Sequence, residues 1–431
     1  MGNKVGIGKL LVLLFVGILL CTNTAFGKTK LHYRYNFYGG QIFKQEAMEE
    51  IVQTFNRSHP EIEVEAFAFQ ISGGSAYDQL VTLIISGAAP DVVEIENSAV
   101  IEFASRGLLE PLDELYTREK LLADFWPADA MEDIWRGRVW GIPKYTNVRG
   151  LVWNVGILDE IGMNSSRGPT TWLELEQLTR KGMKTNADGS IVRMGFVPFQ
   201  GSYAVGGWLW AFGGGIYDWN TGEPILEAEA NVRAWEWMQE WTTRYPPQNF
   251  RFATRGTSGA HGNFLAGCVA AVTAADNGAA QFLTLAPDLG FLTGRVPFPE
   301  GGRNGTWGGG LGWAIPRGST RNKREALAFM QWLATEGALL NYAMRDEFPT
   351  NRAVAQKVIR TLKSDDKRIP MLNQMDERNP RPPLWSNVHG RLTSVFNSSI
   401  IGVSRGNPRE ALANLQREFV PLYEAIRLGS E

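Results

Sequence analysis

Residues Pro90–Pro143 read PDVVEIENSAVIEFASRGLLEPLDELYTREKLLADFWPADAMEDIWRGRVWGIP, and this stretch decides the fold. A short apolar strand (Asp91-Val-Val) ends in two acids and an amide, Glu94, Glu96 and Asn97. A helical segment follows and stops at Gly107-Leu-Leu-Glu-Pro-Leu112. Further on, Gly137-Arg-Val-Trp-Gly-Ile-Pro143 closes another hydrophobic segment, and Tyr145-Thr-Asn-Val-Arg-Gly-Leu-Val-Trp-Asn154 begins after it. In an open α/β sheet, ligands bind outside the carboxyl ends of strands, where loops present polar groups. A polar tip after Val93 and a second after Pro143 would face one crevice.

The flanking sequence repeats this alternation. Leu31–Gly40 alternates and ends in glycines, as a first strand opening into a loop does. A helix is expected over Phe43–Arg57, with Met48, Ile51, Val52 and Phe55 on one face, and Ile62–Phe69 reads as the next strand. Tyr77–Ser86 reads as a helix stopped by Gly87. Strands alternating with helices argue for an α/β fold with mostly parallel sheets. A second unit begins near Tyr145, with strands at Gly150–Asn154 and Met194–Phe199. Between them a helix runs to Lys181, with Thr171 as N-cap and Glu174 completing a capping box. An amphipathic helix over Asn231–Tyr245, a strand from Gly267 ending in Asp276, a long helix over Lys323–Leu340 and a closing helix over Pro408–Leu428 complete the pattern.

Composition narrows the function. The 431 residues carry a net charge of −2, with 44% hydrophobic and 20% charged residues, and no basic patch stands out, which argues against a nucleic-acid partner. The chain has 15 Trp, a residue whose flat apolar face and N–H donor suit sugar rings as well as cores. Lys4 and Lys9, an apolar run over Leu10–Leu20 and the small-x-small triplet Ala25-Phe26-Gly27 form a secretory leader over residues 1–27, too short for an ordinary spanning helix. Cleavage after Gly27 leaves Lys28 first. Lipid attachment at Cys21 is the weaker alternative, because Leu20 stands where a small residue is wanted. Cys268 then remains alone, which rules out an internal disulfide and reads as a small hydrophobe in a buried strand.

The ordered motifs PDVV…GLLEPLDEL, GRVWGIP…LVWN, PTTWLEL, AFGGGIYD, FLAGCVAAV, GGGLGWAIPRGS, FPTNR and NPREALANLQ resemble the extracellular solute-binding proteins of ABC importers. The likeness is to the sugar-binding branch related to maltose-binding proteins, and it covers nearly the whole mature chain. It implies two α/β lobes joined by crossing hinge strands, with a mono- or oligosaccharide closed between them and a membrane permease as partner. Carried onto this chain, the first lobe is residues 28–144 with 313–352, and the second is 145–312 with 353–431. The implied protein is a periplasmic or extracellular monomer without cofactor or metal. Asn277-Gly278 leads into Ala279-Ala280 where the family often places an aromatic, which argues against a maltodextrin ligand.

Candidate ligand contacts follow. Trp385, held by Pro382-Pro383 at a helix start, falls where the relatives stack a sugar, and His389 lies one turn later on the same face. Asn147 matches a sugar-binding amide, with Tyr145 beside it as the hinge aromatic. Glu94, Glu96 and Asn97 lie at a strand end, where one of the three is expected to reach sugar. Tyr38, Gln41 and Tyr203 are further cleft candidates, as are Asp276 and Asn277 at the end of their strand. Trp307, Gly308 and Gly309 sit at the second crossing, where glycine allows close backbone approach.

Two other classes stay open. A secreted glycosidase needs paired carboxylates with divided acid and base roles, and Glu94, Glu96 and Asp276 are candidates without a distinguishing motif. A same-fold binder of a charged solute would call for clustered cations, whereas these loops read as aromatic and amide-rich, favouring a neutral sugar. Four scattered His and one mature Cys give no metal-site spacing.

Overall fold

The computed structural model describes residues 28–37, 42–70, 75–401 and 406–429. The leader, Tyr38 and Gln41 lie outside the described residues.

Two five-stranded sheets organise the chain. In the first the order is Ile62–Gln70, Thr29–Phe37, Val92–Glu96, Leu311–Ala314, Ile142–Pro143. In the second it is Phe291–Gly294, Arg149–Asn154, Val269–Ala275, Ile191–Gly201, Lys184–Thr185. The α/β reading holds, but the sheets are mixed rather than mostly parallel. Parallel pairing joins Thr29–Phe37 to Ile62–Gln70 and Val92–Glu96, and Val269–Ala275 to Ile191–Gly201. The strands next to the crossings run the other way: Leu311–Ala314 is antiparallel to both neighbours, as is Arg149–Asn154. The reason is connectivity. The chain leaves the first sheet at Pro143, enters the second at Arg149, and re-enters the first at Leu311, so each crossing delivers a strand against the local direction.

The amphipathic helices behave as their periodicity requires. Ile42–Ser58 buries Met48, Ile51, Val52 and Phe55 against Leu31 and Tyr33 of the first sheet. Thr171 and Glu174 form the capping box of the Trp172–Lys181 helix. Glu229–Arg244 buries Val232, Trp235 and Met238.

Three local expectations are corrected. The long helix expected over 323–340 is two, Lys323–Leu333 and Glu336–Arg345. Thr335 breaks it: its hydroxyl donates to the Gln331 carbonyl at 2.8 Å, a local bond that competes with the helix ladder. The second helix folds back so closely that a Cβ on Gly337 would lie 2.8 Å from the Trp332 ring. Asp276 and Asn277 do not end a strand; they open the helix Asp276–Leu285. Cys268 precedes its strand, half-buried, with its thiol accepting the Ala253 amide at 3.3 Å.

Candidate functional site

The carboxyl ends of the first sheet, both crossings and the start of the helix Trp385–Phe396 meet at the junction of the two sheets. Glu94 is fully buried there and fully occupied. Its carboxylate accepts from the Tyr33 hydroxyl, from the Asn36 amide at 2.9 Å and from Lys144 Nζ at 2.6 Å. Lys144 also lies 3.2 Å from Glu347, which pairs with Arg345 at 3.1 Å. Two acids thus meet two bases in a dry network, the condition under which buried charges are tolerated. Asn97 is buried too, donating to Asp133 Oδ2 at 2.8 Å. Glu96 differs: it is half-buried, and its Oε2 accepts from Ser386 Oγ at 2.9 Å, which ties the first sheet to the Trp385 helix.

On the first crossing, Tyr145 and Asn147 are half-buried. The Asn147 Oδ1 accepts from Arg149 Nη1 at 2.7 Å. Arg149 also donates to the carbonyls of Ser202 at 2.9 Å and Trp307 at 2.7 Å. Its guanidinium carbon lies 3.2 Å from the Trp307 ring centroid, a cation–π contact. Arg149 was not singled out in the sequence, because a lone Arg at the head of an apolar strand carries no motif.

On the return crossing, Trp307 donates its indole N–H to the Tyr203 carbonyl at 3.1 Å. Behind it, Arg378 pairs with Asp129 at 2.5 Å and Arg381 with Glu132 at 2.8 Å. A Cβ on Gly308 would sit 2.3 Å from Arg378 Nη1 and 2.8 Å from Thr146 Oγ1, so no side chain fits. Gly309 has room: its nearest neighbour would be Arg381 Nη1 at 3.5 Å.

Trp385 follows Leu384, which takes a left-handed backbone (φ 60°), and it opens its helix. Its ring stacks on His389 at 4.9 Å and Trp210 at 5.9 Å, and Trp307 leans on it at 4.9 Å. The residue is therefore packed and only 5% exposed. The His389 Nδ1 is buried and has no hydrogen-bond partner among the described residues, and burial, then Arg149, hold the imidazole below its usual range.

The structure thus gathers Glu96, Asn147, Trp307, Gly308, Gly309, Trp385 and His389, with Tyr145 on the same crossing. Tyr203 and Asp276, like Glu94 and Asn97, are engaged by the scaffold in this arrangement, and Asn277 stands apart from the group. Tyr203 is enclosed and donates to Asn304 Oδ1 at 3.1 Å. Asp276 accepts the Val148 amide at 2.9 Å, and burial pushes its carboxyl up to about 6. Asn277 is exposed on the first turn of its helix.

Comparison with known proteins gives the family. The sequence model of the bacterial extracellular solute-binding protein family matches residues 40–339, and the chain belongs to that family. An uncharacterised lipoprotein from the oleD 5′ region of Streptomyces antibioticus is 31% identical over 138 residues, covering 31% of this chain and 30% of the relative. A maltotriose-binding protein of Pyrococcus abyssi is 24% identical over 268 residues, covering 61% of this chain and 54% of its own length. The chain therefore spans 30% and 54% of the length of these two curated relatives. The solved structure of CpMnBP1 with mannotriose superposes with a TM-score of 0.71 at 23% identity, over 91% of this chain and all of that one, so the two share a fold.

Proposed function

We propose that this member of the bacterial extracellular solute-binding family captures a mono- or oligosaccharide between two lobes and delivers it to an ABC importer permease, without chemical change to the sugar. The lobes are residues 28–144 with 313–352 and 145–312 with 353–431, joined at the crossings. The observation that carries the reading is the convergence of Trp307, Trp385 and His389, whose Nδ1 has no hydrogen-bond partner among the described residues, with Asn147 and Glu96 at the sheet junction. Aromatic faces suit the C–H surfaces of a pyranose, and amide, imidazole and carboxylate suit its hydroxyls. Selectivity follows from hydroxyl pairing, since a buried polar group left without a partner costs about 1–3 kcal/mol. The sugar-binding character of the Pyrococcus abyssi relative and of CpMnBP1 agrees with this.

Capture begins with the lobes apart; closure brings the Trp385 helix to Glu96 and covers the ring. The secreted chain, freed of its leader near Gly27, works as a monomer outside the cytoplasm. A glycosidase is less well supported, because Glu94 is tied to Lys144 and Asp276 to the Val148 amide. Thermal shift against a panel of mono- and disaccharides tests the reading. A sugar at 100 times its dissociation constant adds roughly 2.7 kcal/mol of stability, a readily measured rise in melting temperature. Chromatography of the recovered sugar should show it intact. Smaller products would replace the binder with an enzyme, and a panel without a single shift would remove the carbohydrate.

A further inference from the structure

Three guanidinium groups converge around Gly308 and Gly309, and they are not equivalent. Arg378 and Arg381 are each matched by a buried carboxylate, Asp129 and Glu132. Arg149 has no carboxylate within 4.0 Å among the described residues; its three bonds all go to neutral oxygens, of Ser202, Asn147 and Trp307. Those bonds use Nε and Nη1. Nη2 makes none among the described residues, and it lies 3.8 Å from where a Cβ on Gly309 would stand, beside the one glycine of this turn where a Cβ would fit. Arg149 is half-buried, and a cation partly withdrawn from water is held at a cost unless a counter-charge meets it. Here burial first, and Arg381 next, push the guanidinium down to about 9, still protonated at neutral pH. The protein sets a carboxylate in contact with two of the three arginines, whereas Arg149, beside Asn147 and Trp307, feels only the more distant charge of Asp276.

We infer that the captured sugar carries an oxyanion, the carboxylate of a uronic acid or a phosphate ester, which docks on Arg149 Nη2 while the ring lies against the Trp307–Trp385 wall. This deepens the carbohydrate reading and rests on it. It also reverses the neutral-sugar expectation drawn from the loops: the cation comes from the head of a strand, and only folding brings it among the aromatics. The planar guanidinium, held over the Trp307 ring, is preorganised for such an anion in a way a lysine would not be.

Calorimetric titration tests it with matched pairs: D-glucuronate against D-glucose, D-galacturonate against D-galactose, the corresponding 4-linked dimers, and glucose 6-phosphate against glucose. The acidic member of at least one pair should bind more than tenfold tighter at low salt, and the gap should narrow as salt is added. Which acid binds distinguishes carboxylate from phosphate. Arg149→Gln should abolish the gap, and Arg149→Lys should restore part of it. Equal affinity within every pair, or preference for the neutral member, overturns the oxyanion while leaving a sugar-binding protein. A Gln variant that weakens both members alike makes Arg149 a packing residue and overturns it too. Absence of binding by every sugar, neutral and acidic, overturns the carbohydrate reading and this inference together. Should Arg149→Gln fold poorly, the acid–neutral gap and its salt dependence in the unaltered protein still decide.

Discussion

Replacing Trp385 with alanine removes a ring that is only 5% exposed and touches Trp210, Trp307 and His389. A buried Trp covers about 150–250 Å². At roughly 25 cal/mol per Å² its removal forfeits about 4–6 kcal/mol. Partial collapse of the hole reduces this toward the 3–5 kcal/mol typical of such truncations. Gly206 limits the collapse, because its backbone already abuts the ring: a Cβ there would lie 3.0 Å from it. Unfolding free energy in denaturant should therefore fall by about 3–5 kcal/mol, within the 5–15 kcal/mol that keeps a protein folded. Trp385→Phe, which keeps a ring, should lose roughly half. Affinity for the bound sugar should drop separately, by more than tenfold, because truncating an aromatic anchor at a binding centre costs about 2 kcal/mol or more. Calorimetry at a temperature where both variants remain folded separates the two effects. A stability loss below about 1 kcal/mol would refute the packing described for this ring. Full affinity in a destabilised variant would make Trp385 a core residue without a role in binding.

Two further outcomes are expected. Burial raises the Asp276 carboxyl to about 6 from an ordinary value near 3.8, so the folded protein binds this proton more tightly than the unfolded chain does. Its contribution is complete below pH 4 and is lost as pH rises through 6; Asp276→Asn, which keeps an oxygen for the Val148 amide, should flatten that part of the stability–pH curve, and an unchanged curve would show the group is not shifted. Gly308→Ala should destabilise by about 1–3 kcal/mol because its Cβ meets Arg378 at 2.3 Å, whereas Gly309→Ala, with 3.5 Å of clearance, should melt within a degree or two of the unaltered protein; equal effects in urea unfolding would contradict the crossing as described.

Much of the fold was legible because it is local. Periodicity places the helices Ile42–Ser58 and Trp172–Lys181, the capping box marks where the second begins, and alternation with apolar runs marks the strands. These signals depend on neighbours a few residues away, which any reader of the chain can see. Where local chemistry competes, the reading fails: Thr335 and Gly337 break a helix whose hydrophobic pattern runs on unbroken. Strand direction was also out of reach, since Leu311–Ala314 and Arg149–Asn154 take theirs from the crossings and not from their own residues.

The site divides along the same line. The residue types are set by the chain: tryptophans at Trp307 and Trp385, glycines at the second crossing, an amide at Asn147, acids at a strand end. Which of them remain available was decided only by tertiary structure, through partners far away in the chain. Glu94 meets Lys144 and, through it, Glu347, so its charge is neutralised, whereas the Glu96 carboxylate, two residues on, accepts only from Ser386 among the described residues. Arg149 has no carboxylate within 4.0 Å among the described residues, Asp129 and Glu132 being taken by Arg378 and Arg381. Charge compensation is a property of the assembled neighbourhood, and no spacing along the chain encodes which cation is left over.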